Sequence, residues 1–519
     1  MAPGNSQPGK WTITFTVMTA TVMAALDISI VNVSLPYMRG TLNASVEEIT
    51  WVATGYMLSN VIVMPLIAFL SNRFGRQRFL MFSVLLFTCS SMACGMARSL
   101  TSMVLFRAIQ GIGGGALIPV SQAILRETFS REEQGLAMGI YGLGVILGPA
   151  IGPTLGGWLT TNYSWPWIFY VNVPIGIVSL FLISKFIHDP LYLERKTGRA
   201  DLLGIGLLAV GLGSLQIMLE KGEQKDWFAS GFIIDLFIIA VIGLILFIAR
   251  ELMTRKPAVD LRVLKDVTFT TGTMMGGVFG IALFGTLFLM PLFLEQLLGF
   301  PAFEAGLALM PRSLAMVVTM PMVGKIYNRL GSRILVFMGL VISAFSYWQL
   351  SVLSLQISYW DIVIPQIIQG VGFAMIFVAL STVALSNIEK PRMQAATGLF
   401  NVIRLVAGSI GIALFATMYD RGATTSRAEM ITSLINPYRN ITTESIESLT
   451  SAMVASGSDP WTARLQAFDF LNNELGRQAM MISFNRVFFL VAVLFALVIP
   501  MVLLLKEAES PPENEGVSA

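Results

Sequence analysis

Four residues and one small-residue position at the end of one apolar run recur, identically spaced, half a chain later. Pro65, Ala68, Asn72, Arg73 and Gly75 line up with Pro321, Gly324, Asn328, Arg329 and Gly331 at a constant shift of 256 positions. Gln110-Gly111-Ile112-Gly113 recurs at nearly the same shift as Gln369-Gly370-Val371-Gly372. A duplication this long calls for two similarly folded halves. It sits in a chain that is 55% hydrophobic and 13% charged, about half the charged fraction of a soluble domain. Together these features predict a membrane transporter whose two bundles rock around a site at mid-bilayer.

Fourteen apolar runs reach the roughly 20 residues that cross a ~30 Å hydrocarbon layer as helix. They lie near 12–37, 50–71, 79–97, 101–125, 135–159, 166–187, 202–219, 229–249, 268–294, 305–327, 334–355, 360–384, 395–419 and 484–505. The runs are continuous rather than alternating, which excludes a membrane β-barrel. The first run is long and contains Asp27, so it reads as a retained helix and not a cleaved signal.

With the N-terminus on the cytoplasmic side, the short inside segments hold about twenty Lys and Arg and the outside ones about four. The inside set includes Arg73, Arg76, Arg78, Arg126, Arg131, Arg195, Lys196, Arg199, Arg250, Arg255, Lys256, Arg329, Arg333, Lys390 and Arg392. This bias predicts both termini in the cytoplasm. A single His188 and two cysteines in one apolar segment, Cys89 and Cys94, offer neither a metal site nor a disulfide framework.

The expected organisation is an N-terminal six-helix bundle (1–187), a linker with two extra membrane helices (188–267) and a C-terminal six-helix bundle (268–505). Residues 420–483 read as a helical hairpin outside the membrane, inserted in the second bundle, and 506–519 as a disordered cytoplasmic tail. Within the insert, Ser426 and Glu429 have capping-box spacing, and Asp459-Pro460 offers an N-cap with proline in the first turn.

Three groups of residues carry candidate mechanism. Asn72, Arg73 and Gly75, with Asn328, Arg329 and Gly331, form basic turns that read either as gating latches or as topology-setting loops. Gly144, Gly148, Gly152 and Gly156 recur every fourth residue, with Pro149, Pro153 and Gly157 among them. They cut a smooth groove for a neighbouring helix, and the prolines bend it.

The third group is the charges inside apolar runs. A central charge is expensive in hydrocarbon, so each needs a partner or a watery interior. Asp27 is the first candidate proton carrier, with Glu295 second and Arg107 as the modulating cation; a static hydrogen bond is the alternative for Asp27, a solvated helix end for Glu295. Gln110 on the fourth run, Gln369 on the twelfth, and Asn401 and Arg404 on the thirteenth are candidate substrate-binding residues, and Arg312 enters the tenth run. Trp51 and Tyr56, with Met23, are candidates to line an adaptable apolar cavity.

At these residues the chain resembles the major facilitator superfamily, in particular its fourteen-helix drug:proton antiporters of the EmrB/QacA type. Leu26-Asp27-Ile28-Ser29-Ile30-Val31-Asn32-Val33-Ser34-Leu35-Pro36 is similar to that group's first-helix signature, and 68–80 to the superfamily loop motif. Arg107 with Gln110-Gly111 resembles the basic fourth-helix motif, and Gly144 to Gly157 the antiporter motif. Trp167-Ile168-Phe169-Tyr170-Val171-Asn172-Val173-Pro174 and Gly213-Ser214-Leu215-Gln216-Ile217-Met218-Leu219 narrow it to the EmrB branch.

The resemblance implies an all-α, 14-helix major facilitator fold and proton-coupled export of amphipathic small molecules across the inner membrane. It implies no enzyme activity, no cofactor and no nucleic-acid partner. In this branch it further implies a membrane-fusion adaptor (EmrA-like) and an outer-membrane channel, with 420–483 as the docking element. A dedicated exporter of one metabolite, lipid or siderophore is the alternative. The chain departs from the family pattern at Ala68, Asn72, Pro166, Glu295 and Arg486.

Overall fold

The computed structural model describes residues 8–190, 201–254, 257–434 and 440–506. Arg195, Lys196, Arg199, Arg255, Lys256 and tail residues 507–519 lie outside this set. Among the described residues there are helices and no strands. Twelve helices set the frame before the long insert. They are α1 (Lys10–Thr41), α2 (Val46–Phe74), α3 (Arg76–Gly95), α4 (Leu100–Thr128), α5 (Gln134–Asn162) and α6 (Trp167–Phe186). There follow α7 (Leu202–Lys221), α8 (Gly231–Met253), α9 (Val267–Leu292), α10 (302–330), α11 (332–351) and α12 (Tyr359–Val383). α13 (Met393–Leu434), α14 (Asn440–Ala455) and α15 (Pro460–Val498) complete the chain.

α10 and α11 run into one another without a coil, and what separates them is Gly331, at φ 75° and ψ 162°. Gly75, its partner in the sequence repeat, sits at φ 88° between α2 and α3. Only glycine takes this region without strain, so the repeat conserves the same left-handed break in both halves. Counting that break, fourteen helices among the described residues are long and apolar enough to span a membrane.

The packing repeats with the sequence. A Cβ on Gly111 would strike the Tyr56 carbonyl, and one on Gly370 would strike the carbonyl of Arg312, 256 positions after Tyr56. Gly113 lies against the backbone of Ser83 and Phe87 on α3, and Gly372 against that of Gly339 and Ser343 on α11. The glycines therefore set the spacing of α4 to α2 and α3, and of α12 to α10 and α11, through close backbone approach.

The halves meet most closely near the basic turns. A Cβ on Gly139 of α5 would lie 2.7 Å from the Met320 carbonyl of α10, and one on Gly398 of α13 would lie 2.6 Å from the Met64 carbonyl of α2. Met64-Pro65 and Met320-Pro321 are repeat partners, so a pseudo-twofold pair of contacts closes this end. One apolar core, including Tyr56, Leu117, Tyr141, Met320, Phe373 and Phe400, runs through both halves.

α7 and α8 lie to one side and join both halves at the far end. Gln216 donates to Ser409 on α13 at 2.9 Å, and Lys221 donates to Thr50 at 2.5 Å beside α2. α13 has 42 residues, about 63 Å at 1.5 Å per residue, twice a ~30 Å hydrocarbon core. Its last turns and the start of α15 therefore project beyond the bilayer, with α14 packed on α15.

Asp459 caps α15 through the amides of Trp461 and Thr462. Ser426 differs from expectation: it lies inside α13, buried, and its hydroxyl accepts from Arg486 at 3.1 Å, while Glu429 pairs with the same arginine at 3.8 Å. The α13 helix does not stop at the membrane surface, so capping-box spacing there has no helix start to cap.

Candidate functional site

Asp27 lies on α1 with no exposed surface. Its face of α1 is pressed inward because the opposite face fills the glycine groove of α5. Gly148 abuts the backbone of Ala25, Gly152 abuts Ser29, and Gly156 abuts Ile30, each too close for a side chain. The Ser29 hydroxyl also donates to the Gly148 carbonyl at 2.8 Å. Gly157 meets only Val33 at 4.0 Å, and α5 stays helical through Pro149 and Pro153.

Opposite that groove, α4 and α6 supply the carboxylate with partners. Arg107 donates to Asp27 Oδ2 at 2.6 Å, while Gln110 and Asn172 donate to Oδ1 at 2.9 and 3.0 Å. Arg107 also donates to Gln110 at 2.8 Å and to the Val52 carbonyl at 3.1 Å, and its guanidinium lies 4.3 Å from the Tyr56 ring centre. Asn172 is steadied by Ser91 at 3.1 Å. The carboxylate thus accepts three side-chain hydrogen bonds, one of them from a guanidinium. All these partners belong to the N-terminal half. Asn172 carries no role in the sequence alone; a single amide between Val171 and Val173 in an apolar run was the available signal.

A second polar group spans the junction between halves. Asn401 on α13 donates to Gln122 on α4 at 2.6 Å, and Arg404 donates to Asn401 at 2.7 Å. The Arg404 guanidinium lies 5.2 Å from the Phe377 ring and 5.8 Å from Phe400, and Tyr141 stacks on Phe377 at 6.1 Å. Arg404 Nη1, Gln122 Nε2 and the Tyr141 hydroxyl are buried there without hydrogen-bond partners. Gln122 and Tyr141 were not anticipated; each is an uncharged polar residue in a mostly apolar stretch, a signal too weak to read without the fold.

A third lies inside the C-terminal half, where Arg312 of α10 donates to Gln369 of α12 at 3.4 Å. Trp51 stands apart from all three, its ring 5.3 Å from the Lys221 ammonium. Glu295 does not join Asp27: it is exposed in the π-helical turn Phe293–Leu297 that ends α9. That turn unwinds the last residues of α9 and swings the side chain out of the bundle.

At the basic turns, Asn328 donates to the Glu132 carbonyl, so one repeat turn reaches across to the other half. Its counterpart Asn72 is half-buried, Arg73 and Arg329 are exposed, and Gly75 packs on Asp189, whose carboxylate also accepts from the Gln77 amide at 2.8 Å. Arg76 and Glu127 form a two-pronged pair at 2.9 Å just behind the N-terminal turn. Among the described residues no cluster of His, Cys, Asp and Glu is placed to hold a metal.

Comparison with known proteins follows this geometry. Residues 17–412 match the family description Major Facilitator Superfamily. The chain is 34% identical over 97% of both lengths to the fatty acid resistance protein FarB of Neisseria gonorrhoeae. It is 33% identical to the multidrug export protein EmrB of Escherichia coli K12, over 97% of this chain and 96% of that one. It is 30% identical to the colistin resistance protein EmrB of Acinetobacter baumannii, over 93% and 94%. The crystal structure of the human organic anion transporter MFSD10 (TETRAN) superposes with a TM-score of 0.58 at 14% identity, covering 94% of this chain and all of that one, which shows a shared fold.

Proposed function

This chain belongs to the major facilitator superfamily as an EmrB-like multi-pass transporter, and on that premise we propose that it is a proton-coupled exporter of amphipathic small molecules across the inner membrane. The observation that carries the reading is the sealed Asp27–Arg107–Gln110–Asn172 network, held against α5 by the glycine groove. A carboxylate beside a guanidinium stays ionised, and one that loses it in a dry interior takes up a proton. Sliding of α1 along α5 would draw Asp27 from Arg107 and switch its proton affinity. The groove has no side chains to resist that slide, which gives the antiporter glycines their role.

Cargo would meet Arg404, Asn401, Gln122 and Tyr141 at the junction between halves. In this state the contacts at Gly139–Met320 and Gly398–Met64 close the basic-turn end. With both termini cytoplasmic, that end faces the cytoplasm and the state is the one that releases cargo outward. One charge crossing 100 mV supplies ~2.3 kcal/mol, which at ~1.4 kcal/mol per tenfold sustains a gradient of roughly 40-fold per net charge. The projecting ends of α13 and α15 with α14 would seat a membrane-fusion adaptor feeding an outer-membrane channel. Reconstituted with an imposed pH gradient, the wild type should move amphiphiles and Asp27→Asn should not, at equal expression; full activity of Asp27→Asn overturns the coupling assignment.

A second reading, a dedicated exporter of one lipid or metabolite, draws on the similarity to a fatty acid resistance protein. A transport panel confined to one chemical class would favour it.

A further inference from the structure

The two halves solve the problem of a buried arginine differently. Position by position, Tyr56 becomes Arg312, Ser91 becomes Tyr347, and Asp27 becomes Leu283, each 256 residues on; Arg107 and Gln110 become Gln366 and Gln369, 259 on. Guanidinium and phenol have each moved to a neighbouring helix, and the acid is gone. Among the described residues, the buried charged side chains after residue 267 are Arg312 and Arg404, with no buried carboxylate.

Arg312 is 3% exposed and its protein hydrogen bond is the 3.4 Å contact to Gln369. One turn before Gln369 on α12, Gln366 is wholly buried with both amide atoms unpartnered, and Gln369 itself has a free Nε2. Tyr347 closes the group from α11, with its hydroxyl held by Thr286 at 2.5 Å. Removing a cation from water with neither counter-charge nor full hydrogen bonding is costly, and unmet buried donors on the same spot add to it. Ten residues into α10, about 15 Å along the axis, the group sits near the middle of the bilayer, where cargo binds in transporters of this plan.

We propose that Arg312, Gln366 and Gln369 form a binding site for the carboxylate head of an amphipathic ligand, which brings the acid that Leu283 does not provide. The guanidinium supplies the charge-assisted pair and the glutamine amides the remaining donors. This deepens the export reading by naming a class of cargo, and it rests on that reading only for the ligand's being cargo.

The test is calorimetric titration of the full-length protein in lipid nanodiscs, with empty nanodiscs subtracted. The probes are 2-naphthoate and its cationic counterpart 2-(aminomethyl)naphthalene. The wild type should prefer the carboxylate. Arg312→Gln should weaken naphthoate by about tenfold or more, the size of one charged hydrogen bond, while Arg312→Lys should lose less. Leu283→Asp restores the acid found in the N-terminal half; it should neutralise Arg312 from within and weaken naphthoate comparably, independently of how Arg312→Gln folds.

Equal binding of both probes, naphthoate affinity unchanged in Arg312→Gln and Leu283→Asp, or equal displacement of naphthoate by chloride would overturn the proposal. Arg312-dependent naphthoate binding without flux in proteoliposomes upholds the site and counts against export alone.

Discussion

At mid-membrane the buried arginine of the N-terminal half is paired with a carboxylate, whereas those of the C-terminal half are not; nearer the basic turns, α4 also buries Arg126 with two guanidinium nitrogens unpartnered. Arg107 and Asp27 neutralise one another within 2.6 Å and share Gln110 between them. Arg312 and Arg404, on helices arranged in the same way, face amides, rings and no carboxylate. A duplicated fold has thus kept its backbone contacts and redistributed its charge. The difference teaches that the halves can divide the labour: a self-contained proton switch needs an internal partner, and a cargo site needs the partner left out.

Removing each arginine should break or confirm this contrast most sharply. Arg107→Met leaves Asp27 buried with two amide donors but no counter-ion, and loss of one member of a buried pair costs about 3–5 kcal/mol. Thermal unfolding in detergent should show a large drop in midpoint. Arg312→Met removes a charge with no counter-ion and should hold the midpoint or raise it. Equal losses in the two variants would mean that Arg312 has a partner as firm as Asp27.

The groove that presses α1 inward offers the next largest effect. Gly148→Ala sets a methyl on the Ala25 backbone and should cost about 1–3 kcal/mol, together with transport. Gly157→Ala, with Val33 at an ordinary 4.0 Å, should stay within ~0.5 kcal/mol of wild type. Identical behaviour would remove the groove from the switch.

The twofold pair at the basic-turn end should respond symmetrically. Gly139→Ala and Gly398→Ala each push on a methionine carbonyl, at 2.7 and 2.6 Å, in only the closed arrangement. Each should shift the population toward opening at that end by about tenfold, for a differential of ~1.4 kcal/mol. Cysteine labelling of residues near Tyr327 reads this directly, and a change from only one of the two would deny the symmetry.

The smallest effect lies in the insert. Hydrogen bonds from the Thr462 side chain and backbone hold the Asp459 carboxyl below its usual range. A depressed folded-state pKa makes the cap's contribution complete above the ordinary value of about 3.9 and lost as pH falls through the folded value. The protection factors of the Trp461 and Thr462 amides, taken against the intrinsic exchange rate at each pH, should therefore fall in acid for the wild type and be low at every pH in Asp459→Ala.

Much of this was written in local pattern. Apolar runs of ~20 residues give spanning helices because hydrocarbon leaves backbone groups no partner but their own helix. Glycines every fourth residue give a groove, and the 256-residue shift gives two halves with the same left-handed glycine after the second and tenth helices. Asp27 and Arg107 were each legible as a charge that needs a partner or a watery interior, since a charge in an apolar run is an unmet requirement. What local pattern leaves undetermined is which requirement is met. Only the assembled bundle brought Asn172 to Asp27, turned Glu295 outward on a π-turn, joined Asn401 to Gln122, and left Arg312 among amides. Burial and spacing follow from a chain's own periodicity, but charge compensation is settled among residues from 51 to 279 positions apart, where distance in sequence says nothing of distance in space.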